Sequence, residues 1–192
     1  MAREFELKYR CDSAALAAIE KQYGDFSTTQ METTYYDTFD LKLSFHRWTL
    51  RKRMENGVAV CTFKSPAENG GRNEWEVERD SIEAGLPELC KLSGLAELTS
   101  LTRDGVIPVC GARFIRQACR METEDATVEL ALDEGILFGG GRELPFSEME
   151  VELKSGSKTA ACRFAQILAL RFGLTPEEKS KFRRALTLAQ GE

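Results

Sequence analysis

Carboxylates and cations recur at every second residue along much of this chain. Glu4, Glu6 and Lys8 form an E-x-E-x-K run near the start, Glu74, Glu76 and Glu78 a second run, and Glu148, Glu150 and Glu152 a third. Arg51 and Arg53, Thr62 and Lys64, Arg116 and Arg120, and Glu129 and Asp133 alternate with apolar neighbours in the same way. Residues two apart on a strand share a face, so each segment predicts a strand with one charged and one apolar side. Acids and bases fall on different segments, and Ser, Asn and Gln are scarce among them. If the charged faces converge on an interior, the chemistry follows from the residue types. Clustered Glu and Asp without His or Cys suit hard divalent ions such as Mg²⁺ or Mn²⁺. Arginine forks and lysines suit phosphate oxygens. Together they describe a site for a metal and a polyphosphate. The plainer reading is a solvated sheet face with cross-strand ion pairs.

Eight strands must position these residues, at 3–10, 31–37, 46–54, 58–65, 73–80, 112–122, 126–138 and 143–154. Asn56-Gly57 predicts a tight hairpin between the third and fourth. Short links elsewhere imply antiparallel neighbours. Arg113 competes with Arg116 for the charged face, and Ile115 and Cys119 on the apolar side favour Arg116. Four helical patches are predicted. Residues 13–23 start from Ser13, 86–101 form one or two short helices, 157–172 end at Gly173, and 175–190 open with Thr175 and Pro176 as cap and first turn. The predicted fold is α+β, an eight-stranded antiparallel β-barrel or tunnel with helices packed on the outside, in one domain over 1–192. Trp48 and Trp75 fall at outward parity and read as core.

The 192 residues are 42% apolar, enough for a core, and carry a formal net charge of −5, which argues against nucleic-acid binding. No run is long and apolar enough to suggest a membrane span, and no export signal is evident. Six cysteines without CxxC spacing read as reduced thiols, so a cytoplasmic protein is expected. His46 is the single histidine, which excludes a multi-histidine metal site.

The ordered run Glu4-Phe-Glu6-Leu-Lys8, "YYDT" at 35–38, Arg51-Lys-Arg53, "TFKS" at 62–65, "EWEVE" at 74–78, "VELALDEG" at 128–135, "SEMEVELKSG" at 147–156 and "SKFRRAL" at 180–186 resembles the CYTH domain, also called the triphosphate tunnel metalloenzymes. The resemblance spans nearly the whole chain. It implies a tunnel binding a triphosphate and Mg²⁺ or Mn²⁺, with members that hydrolyse inorganic or thiamine triphosphate or cyclise ATP. Carried over, Glu4, Glu6, Glu148 and Glu150 are the implied metal acids, with Glu152 open as a substitute for Glu148. Lys8, Arg51, Arg53, Lys64 and Arg116 are the implied phosphate ligands, Lys181 closes one end, and Glu76 and Glu78 orient the attacking water or a second metal, with Lys8 beside them in the catalytic set. Phe39 stands where the family usually has proline, and Arg184 where bacterial relatives often have glycine. The expectation is a divalent-metal-dependent hydrolysis of inorganic triphosphate to pyrophosphate and phosphate. A class IV-type adenylyl cyclase, a thiamine triphosphatase and a non-catalytic polyphosphate- or nucleotide-binding module are the alternatives. The expected partner is a small-molecule triphosphate, with neither nucleic acid nor membrane, and the oligomeric state is left open.

Overall fold

The computed structural model describes residues 2–68 and 71–191. Its strands are β1 (Ala2–Glu4), β2 (Glu6–Arg10), β3 (Ser27–Asp37), β4 (Thr49–Glu55), β5 (Val58–Pro66), β6 (Arg72–Glu78), β7 (Ile107–Glu122), β8 (Ala126–Gly139), β9 (Arg142–Gly156) and β10 (Thr175–Pro176). Its helices are α1 (Ser13–Tyr23), α2 (Lys42–Phe45), α3 (Ile82–Ser93), α4 (Ala96–Leu101), α5 (Lys158–Phe172) and α6 (Lys181–Gln190). The strands join in the order β1-β6-β5-β4-β3-β7-β8-β9-β2-β10, each pair antiparallel.

The first segment of the chain is the seam. β1 pairs with β6 and β2 with β9, and only Phe5 separates them. Phe5 itself accepts a 2.9 Å hydrogen bond from the Leu153 amide. The sheet therefore curls until its edges meet along one backbone, without a continuous ladder across the seam. With β1 and β2 counted as one segment and two-residue β10 set aside, this is the expected eight-stranded tunnel.

The apolar parities lie outside. Phe5, Leu7, Tyr9, Val128, Leu130, Leu132, Met149 and Val151 pack under α1 and α5. Leu50, Cys61, Phe63, Trp75 and Val77 pack under α3 and α4 with Trp48. Local details differ from expectation for local reasons. The Asp12 carboxylate, one residue before Ser13, caps α1 by accepting from the Ala15 amide. Residues 46–48 are not strand, because α2 and a left-handed Arg47 (φ 60°) turn the chain into β4. Two helices fill 82–101, the first capped by Ser81. Thr175 and Pro176 do not start the last helix. They pair with Arg10 and Tyr9, and α6 begins after a Ser180 cap.

Helix α6 departs most from the expected exterior placement. Its Phe182, Ala185 and Leu186 pack on Met31, Tyr35, Ala112, Phe114, Leu137 and Phe146. Those residues share strand faces with Arg116, Asp133 and Glu148, so α6 fills one end of the tunnel from within. A buried ionic knot fastens its first turn. Lys181 Nζ lies 2.7 Å from Asp133 and 2.8 Å from Glu150, and pairs also with Glu148. Arg116 grips both oxygens of Asp133 at 2.8 and 2.7 Å and reaches Glu150, and Arg184 pairs with Glu148. Three carboxylates thus meet three cations, and the rings of Phe114 and Phe146 lie 5.1 and 5.4 Å from Lys181 Nζ.

At the same end as α6, where Leu41 packs against the α6 cluster, the buried Asp37 organises the segment 38–48. Its Oδ1 accepts from the amides of Thr38 and Leu43, each at 2.8 Å. Its Oδ2 accepts from the Ser44 amide at 2.9 Å and from the Ser44 hydroxyl.

Two stability predictions follow from these buried charges. Lys181→Met leaves three buried carboxylates short of a cation and lowers unfolding free energy by about 3–5 kcal/mol. Adding Glu148→Gln recovers part of that loss in urea unfolding. Asp37→Ala strands three amides and costs about 3 kcal/mol, which a melting curve reads as a fall of roughly 6–12 °C.

Candidate functional site

The inner faces not covered by α6 enclose a cavity of about 870 Å³. Strand parity and register place its charges. In β4, Arg51 and Arg53 face inward opposite Tyr35 and Thr33 of β3. In β5 and β6, Lys64 stands across from Glu74, and Thr62 across from Glu76. In β1 and β2, Glu4 sits across from Arg72, Glu6 from Glu152, and Lys8 from Glu150.

Of the residues expected from sequence, Glu4, Glu6, Lys8, Arg51, Arg53, Lys64, Glu76, Arg116, Glu150 and Lys181 all line this cavity. Two do not reach it. Glu78 is exposed at the far end of β6. Glu148 is fully buried in the ionic knot, held by Lys181 and Arg184, while Glu152 lines the cavity instead. Arg116 rather than Arg113 faces inward, and Arg113 is exposed and paired with Glu143.

Sequence reasoning missed Arg47 and Arg72 as cavity residues. Arg72 shares parity with Glu74 and Glu76, so a strand begun one residue earlier would have included it. Asp133 was seen as charged-face but not as the partner that fixes Arg116.

The electrostatics divide the cavity into satisfied and unsatisfied parts. Burial would raise the Glu150 carboxyl, yet Lys181 and Arg116 hold it well below the ordinary range. Asp133, Glu148 and Glu150 present oxygens within 4.8 Å of one another, a spacing that could hold a metal, but the Lys181 ammonium already lies among them. Nearer the seam the acids outweigh their partners. Burial, then Glu150 and Glu4, push Glu6 up to about 7 against the pull of Lys8 and Lys181. Burial also raises Glu152, with Glu4 and Glu129 adding to it against Lys154. Lys64 bridges Glu4 at 2.6 Å and Glu74 at 3.0 Å.

Arg53 on β4 and Arg72, the β6 neighbour of Glu4, have the opposite imbalance. Burial and the neighbouring Arg51 depress Arg53, and Arg116 depresses it further despite Glu55. Arg72 is likewise depressed by burial and by Arg47 and Arg51, against Glu4 and Glu74. Arginine stays charged in proteins, so these shifts mark cations that lack enough negative charge nearby. The Nε atoms of Arg51, Arg53 and Arg72 are buried without a hydrogen-bond partner among the described residues.

Comparison with known proteins matches this geometry. The CYTH domain family model matches residues 2–186. An inorganic triphosphatase of Haemophilus influenzae is 27% identical over 195 residues, covering 98% of this chain and 55% of its own length. The chain therefore spans about half the length of that curated relative. Among solved structures, a protein from Pyrococcus horikoshii OT3 superposes with a TM-score of 0.64 at 22% identity, covering 96% of this chain and 99% of that one. An adenylyl cyclase candidate from Hippeastrum, described as revealing a dominant triphosphatase activity, gives 0.64 at 18% identity, covering 100% and 97%. The structural likenesses carry the fold, and the family match over almost the whole length carries membership: this chain belongs to the CYTH family.

Proposed function

We propose that this protein is a divalent-metal-dependent triphosphatase that cleaves inorganic triphosphate to pyrophosphate and phosphate. The observation that carries the reading is the double imbalance inside one cavity. Arginines short of negative charge share it with carboxylates short of positive charge, and a metal–triphosphate complex supplies both. The name of the Haemophilus influenzae relative supports the same substrate.

Arg51 and Arg53, with Lys8 and Lys64, hold the phosphate oxygens along the tunnel. Arg116, pinned by Asp133 and Glu150, presents a fixed positive charge near its inner end. Glu4, Glu6 and Glu152, with Glu150 behind them, line the cavity with carboxylate donors of the kind a hard divalent ion takes, and burial with Glu150 and Glu4 drives Glu6 up to about 7. Mg²⁺ or Mn²⁺ held there supplies charge neutralisation on the phosphate oxygens. Glu148 drops out of this set, since Lys181 and Arg184 occupy it. Glu76 accepts a 2.9 Å hydrogen bond from Thr62 and lies 3.9 Å from Arg51, and in this reading its carboxylate orients the attacking water. Water forms the new O–P bond at a terminal phosphorus, the bridging P–O bond breaks in line, and pyrophosphate leaves. A cytoplasmic setting fits the six free thiols.

The test is phosphate release from inorganic triphosphate, ATP and thiamine triphosphate in Mg²⁺, Mn²⁺ or EDTA, with cyclic AMP assayed in the ATP sample. Release is expected mainly from inorganic triphosphate and is abolished by EDTA. Arg53→Ala and Glu6→Gln each lower kcat/KM by about 10²–10³. Without added metal Glu6→Gln melts no lower than wild type, because it removes a carboxylate crowded by Glu150 and Glu4. Wild-type rates in both variants, or release that survives EDTA, would overturn the reading.

A further inference from the structure

Two phenylalanines stand in solvent on one short, stiff segment. Phe39 is 89% exposed and Phe45 87%. Phe39 and Asp40 are the corners of a tight turn, closed where the Leu41 amide donates to the Thr38 carbonyl at 2.9 Å. The Thr38 hydroxyl donates to Asp40 Oδ1 at 2.8 Å and accepts from the Lys42 amide at 2.9 Å. Phe45 ends α2, whose Leu43 and Ser44 amides are held by Asp37. The backbone that presents both rings is therefore fixed from within. Aromatic side chains ordered in advance are the usual anchors of a protein interface, because docking them costs little entropy.

A recess lies beside the rings. Leu41, Phe45 and Leu186 line a groove of about 270 Å³ between this segment and α6, with Asp40 and Arg183 on its edges. A benzene ring fits a cavity of roughly 150 Å³, so the groove has room for one aromatic side chain. Phe39 is not among the residues lining it, so its own ring leaves the groove free. Asp40 is exposed and pairs with Lys42 at 2.9 Å. Arg183 is exposed and makes no ion pair among the described residues, whereas its neighbour Arg184 is engaged with Glu148.

We propose that this face binds a second copy of the chain about a twofold axis, with Phe39 of each copy entering the other's groove and Asp40 meeting the partner's Arg183. A twofold interface brings one patch against itself, so a single surface must carry both projection and recess, and both signs of charge. This surface carries all four. Aromatic side chains bury roughly 150–250 Å² each, so the four rings of a pair, with the surface they cover, reach the roughly 1,200–2,000 Å² of a specific interface. An anionic membrane would accept the rings but repel Asp40.

Sedimentation velocity of the full chain over a micromolar concentration series tests the pairing. Wild type is expected to pass from one chain mass to two. Phe39→Ser and Phe45→Ser each raise the dimer dissociation constant by about a hundredfold or more, since a substitution counts twice in a symmetric pair. Leu170→Ser, which removes an equally exposed side chain from α5, leaves it unchanged. Asp40→Arg and Arg183→Asp are each monomeric alone, and an equimolar mixture of the two forms a mixed dimer, because both cross-contacts then join opposite charges. That rescue also shows that each variant is folded. A wild type that stays monomeric throughout, a dimer indifferent to Phe39→Ser, one lost equally in Leu170→Ser, or a mixture that fails to assemble would each overturn the proposal. So would a monomer that instead sediments with phosphatidylcholine–phosphatidylserine vesicles through Phe39 and Phe45, which would assign the face to a membrane.

Discussion

The Lys181 ammonium among three buried carboxylates is the constraint on which the rest of this structure depends. Removing such charges from water is costly, and the cost is offset only when every charge finds good partners. Here Asp133, Glu148 and Glu150 find Lys181, Arg116 and Arg184. The knot balances itself locally, which allows a helix to enter the tunnel. Without it, α6 would carry a lysine into an acidic interior, or the strands would carry acids under an apolar helix. Glu148 shows how tightly the two sides are matched. Burial raises its carboxyl even with Lys181 and Arg184 beside it, while Glu150, reached by Lys181 and Arg116, is held well down.

A balanced end leaves an unbalanced middle. The helix and its knot close off one part of the inner face, and the remaining charged residues cannot relax around α6. Glu6 is crowded by other acids, and Arg53 and Arg72 by other arginines. A structure selected for stability alone would pair these groups across the cavity. Keeping them on separate strands is the kind of local inconsistency expected where a ligand completes the arrangement. The outer helices supply the rigidity that holds them apart, through the two apolar clusters beneath α1 with α5 and α3 with α4.

Much of this was legible in the alternation itself. The parity of E-x-E-x-K and of Arg51-Lys-Arg53 assigned faces correctly, since a strand has only two. Asn56-Gly57 fixed the β4–β5 hairpin, with both residues at positive φ as such a turn requires. The placement of α6 was not legible. Its apolar stripe shows that one face is buried, but not whether an inner or an outer sheet surface buries it. Arg47 escaped notice because a left-handed turn separates it from the strand whose parity it shares. The two-residue strand at Thr175 and Pro176 escaped because its residues resemble a helix start, and only pairing with Arg10 and Tyr9 distinguishes the two.

The division of labour among Glu148, Glu150 and Glu152 marks the limit of parity. All three occupy one face of β9, and their spacing treats them alike. Register separates them. Glu152 lies across from Glu6, Glu150 from Lys8 and Glu148 from Arg10, while on the other side Glu148 meets Asp133 and Glu152 meets Glu129. Each step of two residues along β9 moves a carboxylate from the crowded acids of the cavity toward the cations of the knot. A slip of two would preserve every inward and outward assignment yet exchange a carboxylate free for a ligand with one locked to α6. The turns and the seam at Phe5 set that register, so the chemistry of three identical side chains is decided by backbone pairing far from any of their oxygens.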